Sequence, residues 1–190
     1  QIFLDSPMAT KVVSVYDRHE ELFDEDARRV WRGRPHPFRL PNLHFTADVA
    51  ASQGINRLRG GAIIIAGSGM CNGGRIRHHL QHNLGSARNH VVFVGYQSRG
   101  TLGRRLVDGA DTVRLFGQDV QVRAQRHTVG GLSAHADQQG LVEWYAAIAG
   151  KPPLVLVHGE DDAREALAHR LRAERGSEVT LAKPEMERKV

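Results

Sequence analysis

The apolar run Ala62-Ile63-Ile64-Ile65-Ala66 passes directly into Gly67-Ser68-Gly69-Met70-Cys71-Asn72-Gly73-Gly74, and a helical pattern from Arg75 to about Leu84 follows. A continuous apolar run without polar alternation is what a strand covered on both faces requires, and such strands belong to parallel sheets. A strand that turns through glycines into a helix is the repeating unit of an α/β fold. The loop also has a chemistry of its own. Glycines let the backbone approach phosphate oxygens, while the helix N-terminus adds unpaired N–H groups and a favourable dipole. Ser68, Gly69, Gly73, Gly74 and Arg75 are therefore candidates for holding an anion. The pattern matches neither the Walker loop nor the dinucleotide fingerprint, and a turn shaped only by packing explains it equally well.

The alternation continues on both sides. Ile2 to Leu4 reads as a strand and Asp5-Ser6-Pro7 as a helix start, with Ser6 as N-cap and Pro7 at the first helical position. Met8, Val12, Val15, Tyr16 and Phe23 recur at helical spacing and are expected in the core. A second helix is expected over Asp24 to Arg32, and a third capped by Thr46 and ending near Arg59. His90 to Tyr96 reads as a strand, Leu102 to Val107 as a helix, and Thr112 to Phe116 with Val120 to Ala124 as a hairpin around Gly117-Gln118-Asp119. A helix from about Gln138 to Ala149 is expected to bury Leu141, Val142, Tyr145 and Ile148. Leu154 to Val157 is expected as a buried parallel strand, followed by a helix over Ala163 to Arg175 that Gly176 stops, and a last strand over Val179 to Leu181. The predicted fold is α/β, a mostly parallel sheet with helices on both faces. A boundary is placed near Thr128, dividing the chain into 1–128 and 129–190.

Charge narrows the partners. The formal net charge is +5, a modest excess, but its distribution is uneven: Ile55 to Arg126 holds eleven Arg and no Lys, against Asp108, Asp111 and Asp119. An Arg-rich segment suits a phosphate-bearing polymer through bidentate contacts and stacking. Cys71 is the single cysteine, which excludes an internal disulfide and a Cys-rich zinc module and fits a reducing compartment. We read it as a small packing residue. No apolar run reaches membrane-spanning length and no signal peptide opens the sequence, so a cytoplasmic protein without membrane partners is expected. The chain opens on Gln1 with a strand already under way, and is read as part of a longer protein.

Two histidines stand on loop edges. Gly130-Gly131-Leu132-Ser133-Ala134-His135-Ala136-Asp137 delivers His135 to the start of a helix that Asp137 or Ser133 can cap. Leu154-Val155-Leu156-Val157-His158-Gly159 puts His158 at the carboxyl end of a strand, where open α/β sheets carry their chemistry. Each also admits the plainer reading of a satisfied structural histidine. His78 and His82 have the i, i+4 spacing of metal ligands, but no third ligand accompanies them, and they are read as a helix face.

Four stretches together resemble the metallo-β-lactamase enzymes that carry a β-CASP domain, nucleases such as RNase J and the endonuclease subunit of the polyadenylation machinery. They are Asp5 to Ala9; Gly67 to Leu80, with its Ser-Gly-Met-Cys-Asn-Gly-Gly-Arg core; Val91 to Gly103, with Phe93-Val94-Gly95-Tyr96-Gln97; and the two histidine runs. The resemblance implies that residues up to about Thr128 are the later part of the β-CASP domain, and that the remainder is the end of a metallo-β-lactamase domain. By match to the family's motifs, His158 would be a ligand of one of two zinc ions and His135 a general acid on the leaving oxygen. Ser133 would meet substrate phosphate, as would Ser68, Gly69, Gly73, Gly74 and Arg75. RNase J-type enzymes usually carry Ser where this chain has Asp137, which is read as an orienting or capping residue. The His-x-His-x-Asp-His metal motif is not in the sequence, so the chain is expected to be inactive alone and to bind zinc weakly.

The resulting expectation is the recognition segment of a zinc-dependent ribonuclease acting on single-stranded RNA, endonucleolytic, 5′ exonucleolytic or both, completed by an N-terminal metallo-β-lactamase portion. A homodimer is left open. The alternatives are a non-catalytic RNA-binding or scaffold subunit, which has no chemical need for His135 and His158, and a small-molecule metallohydrolase or nucleotide-binding protein resting on the Gly67 to Gly74 loop.

Overall fold

The computed structural model describes residues 1–132 and 135–187. The chain divides into two compact units, Gln1–Leu132 and the residues after it. In the first, β1 (Ile2–Leu4) is the central strand of a parallel sheet, flanked by β2 (Leu43–Phe45) and β3 (Ile63–Ile65). Helix α1 (Pro7–Arg18) starts as its sequence dictates: the Ser6 hydroxyl accepts from the Ala9 amide at 3.3 Å and Pro7 takes the first turn. Helix α2 (Glu25–Arg32) is capped by Asp24, which accepts from the Ala27 amide at 2.7 Å. Helix α3 (Val49–Ile55) is capped by Asp48 rather than Thr46, because the Thr46 side chain is buried and already bonded to Asp5.

The rest of this unit forms around one apolar cluster. Helix α4 (Ile76–Asn83), β4 (His90–Phe93), α5 (Leu102–Val107), the antiparallel hairpin of β5 (Thr112–Leu115) and β6 (Gln118–Gln121), and β7 (Gln125–Thr128) follow in order. The chain returns so that β7 pairs with β4 in parallel. Leu80 and Leu84 from the α4 end, Leu106 from α5, and Val113 and Leu115 from the hairpin meet in the core. The Leu84 carbonyl accepts from the amides of Arg123 and Ala124 at 2.8 and 2.9 Å, tying the end of α4 to the segment that leads into β7.

The second unit is smaller. Helix α6 (Gln138–Ala146) precedes a unit of β8 (Leu154–Leu156), α7 (Asp161–Arg175) and β9 (Val179–Leu181), with β8 and β9 parallel. Val142, Tyr145, Ala168, Leu171 and Val179 form its core. Gly176, at φ +61°, closes α7 in the left-handed conformation that glycine adopts without a Cβ clash.

The protein is thus mixed α/β, with parallel pairing in three of the four sheets among the described residues, as expected. Several details differ. β3, expected to be buried, is an edge strand with Ile63 61% and Ile65 50% exposed. The stripe on α1 is likewise not core, since Met8, Val12, Val15 and Tyr16 are all exposed. Periodicity fixes which residues share a face; it does not supply the element that covers it. β8 ends at Leu156 and leaves Val155 and Val157 exposed, and Leu141 is exposed on α6. The hairpin turns through Phe116 and Gly117, shorter than expected. Among the described residues, no helix is long and apolar enough to cross a membrane.

Leu106 is fully buried at the centre of the larger core. Leu106→Ala is expected to cost about 2–5 kcal/mol of unfolding free energy, read from the shift in urea midpoint.

Candidate functional site

The Gly67 to Gly74 loop is held closed by its own groups. The Ser68 amide donates to the Gly73 carbonyl at 3.1 Å, and the Gly73 amide donates back to the Ser68 hydroxyl at 3.2 Å. The Ser68 hydroxyl also donates to the Gly73 carbonyl at 3.1 Å. Gly74 sits at φ +75°, where a Cβ would lie 2.4 Å from the Gly67 carbonyl oxygen, so no other residue fits. The amides of Ile76, Arg77 and His78 at the helix start bond to carbonyls of Gly67, Gly74 and Arg75. Ser68 and Gly69 face solvent.

Three of the sequence stretches singled out above meet at this loop. Buried Gln97, from the stretch after β4, donates from Nε2 to the Gly69 carbonyl at 3.0 Å. The Asn72 side chain accepts from the Leu102 amide at 3.0 Å, and the Met70 carbonyl accepts from the Gly103 amide at 3.1 Å. Beneath the loop, at the end of β1, lies Asp5, fully buried. Its carboxylate accepts from Ser52 Oγ, Arg75 Nη1 and His79 Nε2, each at 2.6 Å, and from the Thr46 hydroxyl. Burial pushes the Asp5 carboxyl up, but the bonds from Ser52, Thr46, His79 and Arg75 outweigh it and bring it down to about 2.

This cluster was not singled out from sequence as a site, although Asp5, Arg75 and His79 each fall within a motif stretch. It changes the reading of Arg75. The guanidinium faces Asp5 and also donates to the Thr46 carbonyl at 3.1 Å. Arg75 was expected at substrate phosphate; in the fold its guanidinium is the counter-charge of a buried carboxylate, which a charge with no water around it requires. Cys71 is buried in the larger core, and burial raises its thiol to about 11, in keeping with a packing role.

The two loop histidines lie in the second unit, beyond the Gly130–Leu132 turn. His135 is exposed two residues before Asp137, which caps α6 by accepting from the Gly140 amide at 2.8 Å. His158 is exposed in the bend after β8. Ser133 lies outside the described residues. No group of three or more His, Cys, Asp or Glu side chains that could hold a metal occurs among the described residues.

The comparisons with known proteins decide the family. The Beta-Casp domain matches residues 1–106. The chain belongs to the β-CASP family. Residues 119–182 of this β-CASP chain match a second domain, described as the Zn-dependent metallo-hydrolase RNA specificity domain. A ribonuclease of Thermus thermophilus is 44% identical over 96% of the chain and 41% of its own length. The transcription termination factor FttA of Pyrococcus abyssi is 31% identical over 84% of the chain and 26% of its own length, and that of Thermococcus kodakarensis 30% over 84% and 26%. The β-CASP chain therefore spans about two fifths to a quarter of the length of these relatives.

The Asp5 carboxyl, lowered to about 2 from an ordinary 3.8, adds stability that is complete above the ordinary value and disappears as pH falls toward the lowered one. Its size is about 2 kcal/mol. Urea midpoints taken from pH 5 down to pH 2 are expected to fall less steeply in Asp5→Asn than in the unsubstituted chain, with Asp5→Asn the less stable at neutral pH because Arg75 loses its counter-charge.

Proposed function

We propose that this chain is the RNA-recognition segment of a metal-dependent ribonuclease that hydrolyses phosphodiesters of single-stranded RNA. The observation that carries the reading is the order of the two matched domains on one chain, Beta-Casp and then the RNA specificity domain of Zn-dependent metallo-hydrolases. The 44% identity to a ribonuclease supports it. In this reading residues 1–128 supply the substrate lobe and 129–190 the end of the catalytic domain. The protein acts in the cytoplasm, and a homodimer is compatible with it.

The exposed backbone of Ser68 and Gly69, with Gly73 and Gly74 in the same loop, receives phosphate oxygens; Ser133 is assigned to substrate phosphate by its place in the family's motif alone. Arg75 holds this loop from below through Asp5. His135 donates a proton to the leaving oxygen, a task suited to imidazole because its charge changes near neutral pH. Its exposure on a loop edge leaves it open to a phosphodiester, and the Asp137 cap sets where that loop enters α6.

Zinc tests the reading. The described residues do not by themselves fit a zinc pair, and one imidazole cannot hold one, since a catalytic zinc takes about three protein ligands. His158 is assigned as a single contributed ligand, with the remaining donors lying outside these 190 residues. The second reading is a non-catalytic RNA-binding subunit of the same fold.

The 190-residue chain is expected to bind single-stranded RNA without cleaving it, and to give no tight zinc isotherm by calorimetry. A tight site at a stoichiometry of two, or RNA hydrolysis by the chain alone, overturns the segment reading. In the complete enzyme, His135→Ala is expected to lower the cleavage rate by about 10²–10⁴-fold with RNA affinity retained. Unchanged cleavage removes the general acid and favours the scaffold.

A further inference from the structure

The turn between β5 and β6 consists of two residues, Phe116 and Gly117, at φ +48° and +80°. Two positive φ values in succession belong to the tight hairpin turn that chains fill with Asn, Asp or Gly. A bulky side chain at positive φ is a steric outlier. Burial does not compensate, because Phe116 is 44% exposed while its neighbour Leu115 is fully buried. A bulky side chain that breaks a local rule and still stays partly open to solvent points to a use for that side chain.

The ring has specific neighbours. The His78 imidazole stacks on it at 4.6 Å between centroids and 20° between planes. The Arg77 guanidinium lies 4.5 Å from the ring centroid. Both come from α4, and one turn further along that helix Gln81 donates to Gln118 Oε1 at 3.2 Å, which fixes the hairpin tip against the helix. His78 is exposed and Arg77 half-buried. The result is a stacked imidazole–phenyl pair with a guanidinium lying over the phenyl ring, prepositioned on two rigid elements within the Arg-rich part of the chain.

We propose that Phe116, His78 and Arg77 form a platform on which one nucleobase of single-stranded RNA stacks, with Arg77 meeting the adjoining phosphate. An unpaired base offers a π face that an aromatic pair can cover, whereas a base inside a duplex does not, so the occupant is a single strand. Stacking accepts any base, which suits a contact that grips the strand without reading sequence. The choice of RNA rests on the function proposed above; the platform adds a contact apart from the Gly67 to Gly74 loop and the two histidines.

The test is fluorescence anisotropy with the 190-residue chain and two labelled single strands of equal length, an oligouridylate and its abasic counterpart. Phe116→Leu keeps an apolar side chain and removes the π face. It is expected to weaken binding of the base-bearing strand by about 5- to 30-fold and to leave the abasic strand unaffected. His78→Ala, at an exposed helix position, is expected to do the same and carries the test if Phe116→Leu melts at a lower temperature. Arg77→Ala is expected to weaken both strands and reduce the salt slope by about one. Base-strand affinities of Phe116→Leu and His78→Ala that equal the unsubstituted chain overturn the platform, as does a loss of equal size on the abasic strand. If the unsubstituted chain binds neither strand, the RNA reading and the platform fall together; binding indifferent to both substitutions removes the platform alone.

Discussion

A buried carboxylate at the end of the central strand organises the first unit. Asp5 is enclosed by donors from three places: Thr46 after β2, Ser52 on α3, and Arg75 with His79 at the start of α4. Removing a carboxylate from water costs several kcal/mol, and only a nearly complete set of bonds offsets this. Here four donors converge on two oxygens, and the depressed pKa shows that the charged form is the one the site favours. The cluster is therefore a joint as much as an interaction. It fixes where α4 begins relative to β1, and through α4 it fixes the glycine loop, His78 and Arg77.

Much of the fold was legible in the sequence, for identifiable reasons. Ser6-Pro7 and Gly176 announce their helix ends because caps are local chemistry, decided within a few residues. α5 appeared over its full extent for the same reason, opened by Thr101, whose hydroxyl accepts from the Arg104 amide at 3.1 Å. β7 was missed because Gln125-Arg126-His127-Thr128 carries no apolar alternation and is a strand only by virtue of its pairing with β4. Thr46 was assigned to a helix cap because its use, a bond to a carboxylate 41 residues away, leaves no local signature. Burial was the least legible property. Ile63, Val12 and Val157 are apolar at the right spacing and still exposed, since burial belongs to the surroundings and not to the residue.

The candidate site divides in the same way. Gly74 was identifiable because its φ and its distance from the Gly67 carbonyl leave no alternative, and such constraints mark a sequence strongly. Arg75 reads in sequence as a phosphate ligand because it stands beside a glycine loop; its bond to Asp5, 70 residues away, leaves no local signature. His135 and His158 were named by motif, and their exposure on loops is compatible with chemistry that other side chains must complete.

The central position of β1 also governs the order of assembly. Ile2 lies opposite Leu43 on one side and Ile63 on the other, so β1 has neither of these partners until the two later strands have been made. Pairings this far apart in sequence are slow to form, since loop closure precedes any contact that rewards it. During that interval the apolar β1 and the exposed stripe of α1 are open to other chains. Made before the strands that pair with it, the β1–α1 segment needs chaperone cover through that interval.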